Sequence, residues 1–476
     1  MMTVDNHHIY ISLRKSFPVF TYHGYDMVHE QGRLRIKYHF SAGDIYHFKP
    51  SLDFTPGVHD IQSGITPELD NFVFNLGLIE MLSYWKAFCS PRIVIKEKGL
   101  NTEQSKWWKK LYLWGLGEFF FTNGIPIPGG ELVEFECRGG SSVPKGSGSW
   151  TPDAHKVLVP VGGGKDSAVC IELLKNTGMT IIPYVVNPRG ATDQVLKAAN
   201  PDGFQAVVLN REIDPLLLSL NKKGFLNGHT PFSAMLAFSS VLTAFICGIQ
   251  HISLSNESSA NEPSVPGSKI NHQYSKSLEF EKDFRKYTQS FLHGHINYFS
   301  LLRPLNEIQI SALFSGYTHY HDVFKSCNVA SKKDMWCGQC PKCLFTWIML
   351  SPFVSPTRLR SIFGKDISED ISLTTTLDQL TGLADIKPFE CVGTIEEVNV
   401  ALVHVIKKMT LTGGALPALL HYYKTTSLYS RYKESNIDQL LLTSTGDHCL
   451  HEKFDSLIHK SLASLADKSS QWTQMF

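Results

Sequence analysis

Residues 157–167, Val-Leu-Val-Pro-Val-Gly-Gly-Gly-Lys-Asp-Ser, constrain the fold more than any other stretch of this chain. The apolar run Val157 to Val161 has the length and composition of a buried parallel strand, and three glycines end it at once. Ala168 to Leu174 then carries helical spacing. A strand feeding a glycine turn into a helix start aims free backbone N–H groups and a partial positive charge at one point. Glycines let that backbone approach an anion closely. Lys165 can add a cation and Asp166 can hold Mg²⁺, so Gly162, Gly163, Gly164, Lys165, Asp166 and Ser167 are expected to cradle the phosphates of ATP.

Two familiar phosphate motifs do not fit. Walker A requires a glycine where Val159 stands and a Ser or Thr where Asp166 stands. The dinucleotide fingerprint fails because Ser167 occupies its last glycine position. The run resembles the PP-loop of ATP pyrophosphatases, Ser-Gly-Gly-x-Asp-Ser, with Gly162 in place of the serine. That resemblance implies cleavage of ATP to AMP and pyrophosphate, and it leaves one hydroxyl contact missing at Gly162.

Composition narrows the class. A chain of 476 residues, 43% hydrophobic and 19% charged, has the size of about three domains with real cores. A net charge of +1 gives no overall pull toward nucleic acid or a membrane surface. The stretch Met1 to His8 lacks the charged and apolar halves of a signal peptide. Ala234 to Ile249 is short for a membrane span and contains Ser239, Ser240 and Thr243, so it reads as a buried helix. A cytoplasmic protein is expected.

Four of the ten cysteines, Cys327, Cys337, Cys340 and Cys343, fall in a Cys-x9-Cys-x2-Cys-x2-Cys pattern with Gly338 and Pro341 between them. Such spacing lets four sulfurs close a tetrahedral, structural zinc site. An iron–sulfur cluster or reduced thiols are the other readings. Cys89, Cys137, Cys170, Cys247, Cys391 and Cys449 are scattered and read as inert buried residues.

The chain divides into an α+β domain over 1–137, a Gly/Ser/Pro linker over 138–155, a PP-loop ATP-binding catalytic domain over 156–350 and a mostly helical region over 351–476. Leu34 to Phe40 alternates as a half-buried strand, while Phe72–Lys86 and Trp107–Phe121 are helical and rich in core aromatics. From 156 onward strands and helices alternate. Strands are expected at Val157–Val161, Thr180–Val186, Ala206–Leu209 and His251–Ser255, with helices at Ala168–Lys175, Thr192–Ala199 and Pro231–Ile249. This α/β pattern predicts a parallel sheet with helices on both faces and a ligand at the carboxyl ends of its strands. In the last region a capping box, Thr394 with Glu397, opens a helix whose apolar stripe runs through Val398, Ala401, Leu402, Val405 and Met409.

The loop after the last of these strands gathers Asn256, Glu257, Ser258, Ser259, Asn261 and Glu262, and Asn271 to Lys276 follow closely. Carboxylates, an imidazole and a lysine at a strand end suit proton transfer and substrate binding, so Glu257, Glu262, His272 and Lys276 join Lys165 and Asp166 as catalytic candidates. His229, His293, His295, His319 and His321 lack ligand spacing and read as core or surface residues.

Several segments resemble those of the UDP-N-acetyl-α-D-muramoyl-L-alanyl-L-glutamate epimerases (the MurL type). They are Phe74 to Lys86, Ser255 to Glu262, Asn271 to Lys276, Tyr298 to Leu305, Trp336 to Cys343 and Lys387 to Gly393. The resemblance covers most of the chain. It implies an ATP- and Mg²⁺-dependent isomerase of peptidoglycan precursor synthesis that converts the terminal L-Glu of UDP-MurNAc-L-Ala-L-Glu to D-Glu. Adenylating the carboxylate would remove a negative charge that opposes loss of the α-proton. The competing readings are another PP-loop enzyme (7-cyano-7-deazaguanine synthase-like or tRNA-thiolating) and a non-catalytic nucleotide sensor. The residues leave oligomeric state open.

Overall fold

The computed structural model describes residues 5–30, 32–55, 66–129, 131–140, 150–444 and 446–472. Eleven strands form one sheet. They are β1 (Val19–Glu30), β2 (Arg33–Ala42), β3 (Tyr46–Phe48), β4 (Ser51–Thr55), β5 (Arg92–Ile95), β6 (Glu134–Cys137), β7 (Asp153–Pro160), β8 (Thr180–Val186), β9 (Val207–Glu212), β10 (Ile249–Leu254) and β11 (Asn297–Ser300). Their order is β11-β10-β7-β8-β9-β4-β2-β1-β5-β6, with β3 pairing onto β2.

The expected parallel sheet is found only in part. The strands β11, β10, β7, β8 and β9 run parallel, as the βα alternation requires. Beyond β9 the direction reverses. The strand β4 pairs antiparallel with β9 from Ser51↔Glu212 to Thr55↔Val208, and β4, β2 and β1 continue antiparallel. Local pattern explains this. β1 and β2 form a hairpin whose tight turn holds Gly32 at φ +71°, a conformation glycine tolerates. The alternation of β2 buries Leu34, Ile36, Tyr38 and Phe40 on one face. Strands from 1–137 and from 156–350 thus share one sheet, and the central residues 141–149 of the expected linker lie outside the described residues.

Element ends shift for identifiable reasons. β7 begins at Asp153, four residues before the apolar run, because Asp153 already pairs with Ile249. The helix expected from Pro231 runs over Phe232–Ile246, and Gly248 at φ +63° turns the chain into β10. The helix after the glycines spans Lys165–Lys175, with Gly164 as its N-cap.

The strands β7, β8 and β11 feed two cores. Leu158, Ile182, Tyr184 and Ile252 pack with the helices Pro67–Trp85, Thr102–Gly115 and Phe232–Ile246. Val157, Val159, Ile181 and Val185 pack on the other side with Lys165–Lys175, Glu307–Ser315, Pro341–Leu350 and Ile395–Leu411. The alternate residues of a strand point to opposite faces, so helices cover both. The aromatic load near Trp107 is core packing: Trp108 is fully buried and its indole Nε1 donates to Tyr287 at 3.0 Å. Described residues beyond 351 contain helices and turns but no strand. Thr394 and Glu397 form the expected capping box, and Val398, Ala401, Leu402 and Val405 are buried. No helix among the described residues is long and apolar enough to cross a membrane.

A buried ion pair ties the junction strand to this frame. Arg211 on β9 donates to both oxygens of the fully buried Glu80 at 2.8 and 3.1 Å, and to Ser83 at 3.0 Å. Removing one member strands a buried charge, so Glu80→Ala should cost about 3–5 kcal/mol of stability, read by equilibrium denaturation.

Candidate active site

β7 and β10 are neighbours whose onward connections leave in opposite directions across the sheet, and a cavity of about 340 Å³ opens at their carboxyl ends. The glycine turn forms one wall. Gly163 sits at φ +86°, where a Cβ would lie 2.9 Å from the Thr192 nitrogen. A Cβ on Gly164 would meet the Ser326 hydroxyl at 2.9 Å, whereas Gly162 has open space around it. Gly164 has no side chain to cap the helix Lys165–Lys175. Gly162, Gly164, Asp166 and Ser167 line the cavity at this helix start, where backbone N–H groups and the helix dipole favour an anion. Ser167 itself donates to the Gly164 carbonyl at 3.0 Å.

Lys165 is placed differently from a phosphate-facing lysine. It is buried, and its ammonium contacts Asp166 and the Glu307 carboxylate. Burial alone would deprotonate it, but these two carboxylates push its pKa up, so it stays charged. Burial opposes ionisation of Asp166 too, yet Lys165 and Lys342 hold its pKa below the usual carboxylate value. Glu307 is raised by burial, and the charges of Asp166 and Glu257 oppose the pull of Lys165. Oxygens of Asp166, Glu257 and Glu307 lie within 4.8 Å of one another. Three carboxylates around one internal lysine suit a hard divalent cation that takes oxygen ligands.

The polar loops reach the same cavity. Glu257 is buried beneath Asn256, and its carboxylate accepts from the Ser259 hydroxyl at 3.1 Å. Lys276 lines the cavity and donates to the Cys391 sulfur at 3.1 Å. Both loops hang on Arg303, which is buried and donates to the carbonyls of Glu257 (2.6 Å) and Lys276 (2.5 Å) and to the Glu281 carboxylate (3.1 Å). Glu262 and His272 stand off the cavity lining. Glu262 pairs with Lys387, and His272 Nδ1 meets Glu118 Oε2 at 2.5 Å. His229 stands beside this pair, with Glu118 3.4 Å from its Nδ1 and its ring next to that of His272.

The four clustered cysteines converge. Their sulfurs lie within 4.8 Å of one another, with Cys327–Cys340 at 3.8 Å, Cys337–Cys343 at 3.7 Å and Cys340–Cys343 at 3.4 Å. Four sulfurs each about 2.3 Å from a single tetrahedral ion sit about 3.8 Å apart, so the set fits one such ion. A multi-iron cluster needs sulfurs spread more widely. The segment braces the glycine turn: Lys325 N–H donates to the Gly163 carbonyl at 2.9 Å, and Asp334 accepts from Ala191 N–H at 2.9 Å.

These features gather an uncapped helix start, a carboxylate cluster and two polar loops around one cavity at the end of an α/β sheet, the arrangement of a candidate enzyme site. The family profile of the MurL N-terminal domain matches residues 12–301, and that of the MurL C-terminal domain matches residues 323–422. The chain belongs to the MurL family. It is similar to the UDP-N-acetyl-alpha-D-muramoyl-L-alanyl-L-glutamate epimerase of Xanthomonas oryzae pv. oryzae, with 35% identity over 69% of this chain and 72% of the relative. The enzyme of the same name from Salinispora tropica is 35% identical over 71% of this chain and 75% of its own. The one from Micromonospora sp. is 36% identical over 71% and 76%.

Sequence reading missed Glu307, Arg303, Glu118 and Cys391 as site residues. Arg303 and Cys391 lie inside segments that carry the family resemblance, which was the available signal. Glu118 and Glu307 have none, being single carboxylates at helix starts.

The glycine wall makes a stability prediction. Gly163→Ala forces an alanine into a left-handed conformation against backbone, and should cost more than about 1 kcal/mol. Gly162→Ser should stay within about 0.5 kcal/mol of the parent in the same denaturation measurement.

Proposed function

We propose that this chain epimerises the terminal L-Glu of UDP-MurNAc-L-Ala-L-Glu, consuming ATP to activate the glutamyl carboxylate in the cavity beside Gly162. Membership of the MurL family supports the substrate and the isomerase chemistry. The observation that carries the ATP requirement is the union of a helix start free of side-chain caps with three carboxylates in one cavity.

The chemistry follows from charge. A proton next to a carboxylate is hard to remove because the carbanion would form beside an existing negative charge. In the proposed sequence a carboxylate oxygen attacks the α-phosphorus of ATP and pyrophosphate leaves. The glutamyl group is then a neutral acyl carbonyl that accepts the electron pair of the α-C–H bond. Loss of that proton, return of a proton to the opposite face and attack of water on the acyl carbon release D-Glu product and AMP. Gly162 to Ser167 hold the phosphates through backbone N–H groups. Lys165 acts from behind, keeping Asp166 and Glu307 in place rather than reaching the phosphates. Asp166, Glu257 and Glu307 would hold Mg²⁺, which when bound neutralises phosphate charge. Cys327, Cys337, Cys340 and Cys343 would hold a structural zinc ion that stiffens the loop under Gly163. Lys276 is the proposed cation facing the activated carbonyl, with Glu257 on the same cavity and Glu262 and His272 off its lining. A need for ATP and a nucleotide-linked precursor supports a cytoplasmic reaction.

With substrate carrying ¹⁸O in the glutamyl carboxylates, ATP and Mg²⁺ in deuterated water, the expected products are ¹⁸O-labelled AMP and α-deuterated D-Glu. Unlabelled AMP would remove the acyl adenylate. Cys340→Ser should lower bound zinc from about one ion per chain to a small fraction, read by elemental analysis, and should lower the melting temperature.

A further inference from the structure

Among the cysteines outside the cluster, Cys391 departs from the inert reading. Burial pushes the thiols of Cys170 and Cys247 up to about 12, as expected of sulfur in an apolar core. Cys391 lies instead on the cavity wall that it shares with Gly162, Glu257, Lys276 and Lys342. Its backbone is clamped there. Lys342 Nζ contacts the Cys391 carbonyl, Gln273 donates to the Val392 carbonyl at 3.5 Å, and Lys387 donates to the Gly393 carbonyl at 2.8 Å.

The charges around the sulfur are those a thiolate needs. Lys276 Nζ is 3.1 Å from Sγ, and His272 and Lys342 add positive charge near the sulfur. Nδ1 of His272 is held by Glu118, so the imidazole is oriented by a third group, as it is where an imidazole activates a cysteine. Burial opposes ionisation of Cys391, but Lys276, His272 and Lys342 outweigh it and bring the thiol down to about 6. Glu390, beside it in the chain, is the neighbouring acid. Burial lowers His272, yet Cys391 and Glu118 raise it to about 9, so the pair is a thiolate against an imidazolium. Lys276 is held in its ammonium form by Cys391 and Glu257 against burial. An imidazolium and an ammonium have no lone pair to offer, whereas the sulfur does.

We propose that Cys391 is the base that removes the α-proton of the activated glutamyl group, with Lys276 facing the enolate oxygen and with His272 and Glu118 as positioning residues. This rests on the acyl-adenylate reading above. The step balances. Sγ takes the proton, and the C–H electron pair moves to the acyl carbonyl as an enolate. A proton from water adds to the opposite face as the enolate collapses. The thiol then gives its proton to the hydroxide left by that water, restoring the thiolate beside Lys276 and His272.

The test uses the full-length, metal-replete protein with ATP, Mg²⁺ and ¹⁸O-carboxylate substrate in deuterated water. In Cys391→Ser the ratio of α-deuterium incorporated to AMP released should fall at least about 100-fold. A ratio equal to wild type overturns the assignment, as does a glutamyl adduct on Cys391 in acid-quenched protein, which would make the sulfur an acyl carrier. Unlabelled AMP from wild type with exchange still dependent on Cys391 overturns the adenylate and upholds the base. Iodoacetamide labelling of wild type, mapped to the Cys391 peptide, reads the thiolate without any variant. Its rate should rise with a midpoint near pH 6, and His272→Gln should move that midpoint upward by at least about one unit. A wild-type midpoint near 8.5, the ordinary thiol value, overturns the proposal.

Discussion

The ammonium of Lys165, buried between Asp166 and Glu307, is the interaction on which the site depends. An ion taken out of water is tolerated only when its partners are fixed and satisfied. Here the partners come from distant parts of the chain. Asp166 stands in the first turn of the helix after the glycines, and Glu307 starts the helix Glu307–Ser315. Glu397, from the last region, accepts from the Glu307 N–H at 2.7 Å while it also closes the capping box on Thr394. A single lysine thereby locks the glycine turn to the helical region that carries Cys391. Its single positive charge does not balance the three carboxylates of Asp166, Glu257 and Glu307, a set that would suit a divalent cation.

Two further braces set the geometry of the cavity mouth. Arg303 spends its guanidinium on backbone carbonyls of two loops that are otherwise irregular, so Glu257 and Lys276 are placed by a rigid fork rather than by loop conformation. The cysteine segment touches Gly163 and Ala191, so a closed metal centre there would act on the anion cradle through backbone hydrogen bonds. The glycine turn and the two polar loops therefore line one cavity, and each has its own support.

The sheet shows how far local pattern reaches. Alternation and glycine punctuation placed four of the five strands of the parallel block, β11 being the one not foreseen, and Thr180–Val186 matches residue for residue. The same signals say nothing about which edge of that block a distant strand will join. β4 pairs with β9 across about 155 intervening residues of sequence, and the direction of that pairing follows from the hairpin behind it and from Arg211 meeting Glu80.

What the sequence alone determined are the features written in short covalent spacing: the strand–glycine–helix cradle, the four-cysteine set, the capping box at Thr394 and the segments shared with the MurL family. These depend on neighbours a few residues apart, which local backbone rules govern. Tertiary structure decided where single side chains end up. It turned Lys165 inward, drew Glu262 onto Lys387, and set Glu307 against Asp166. It also made Cys391 different from its buried counterparts, by bringing His272 and Lys276 to it over 115 or more residues of chain. The charge state of a side chain is a property of its surroundings, and those surroundings exist only in the folded protein.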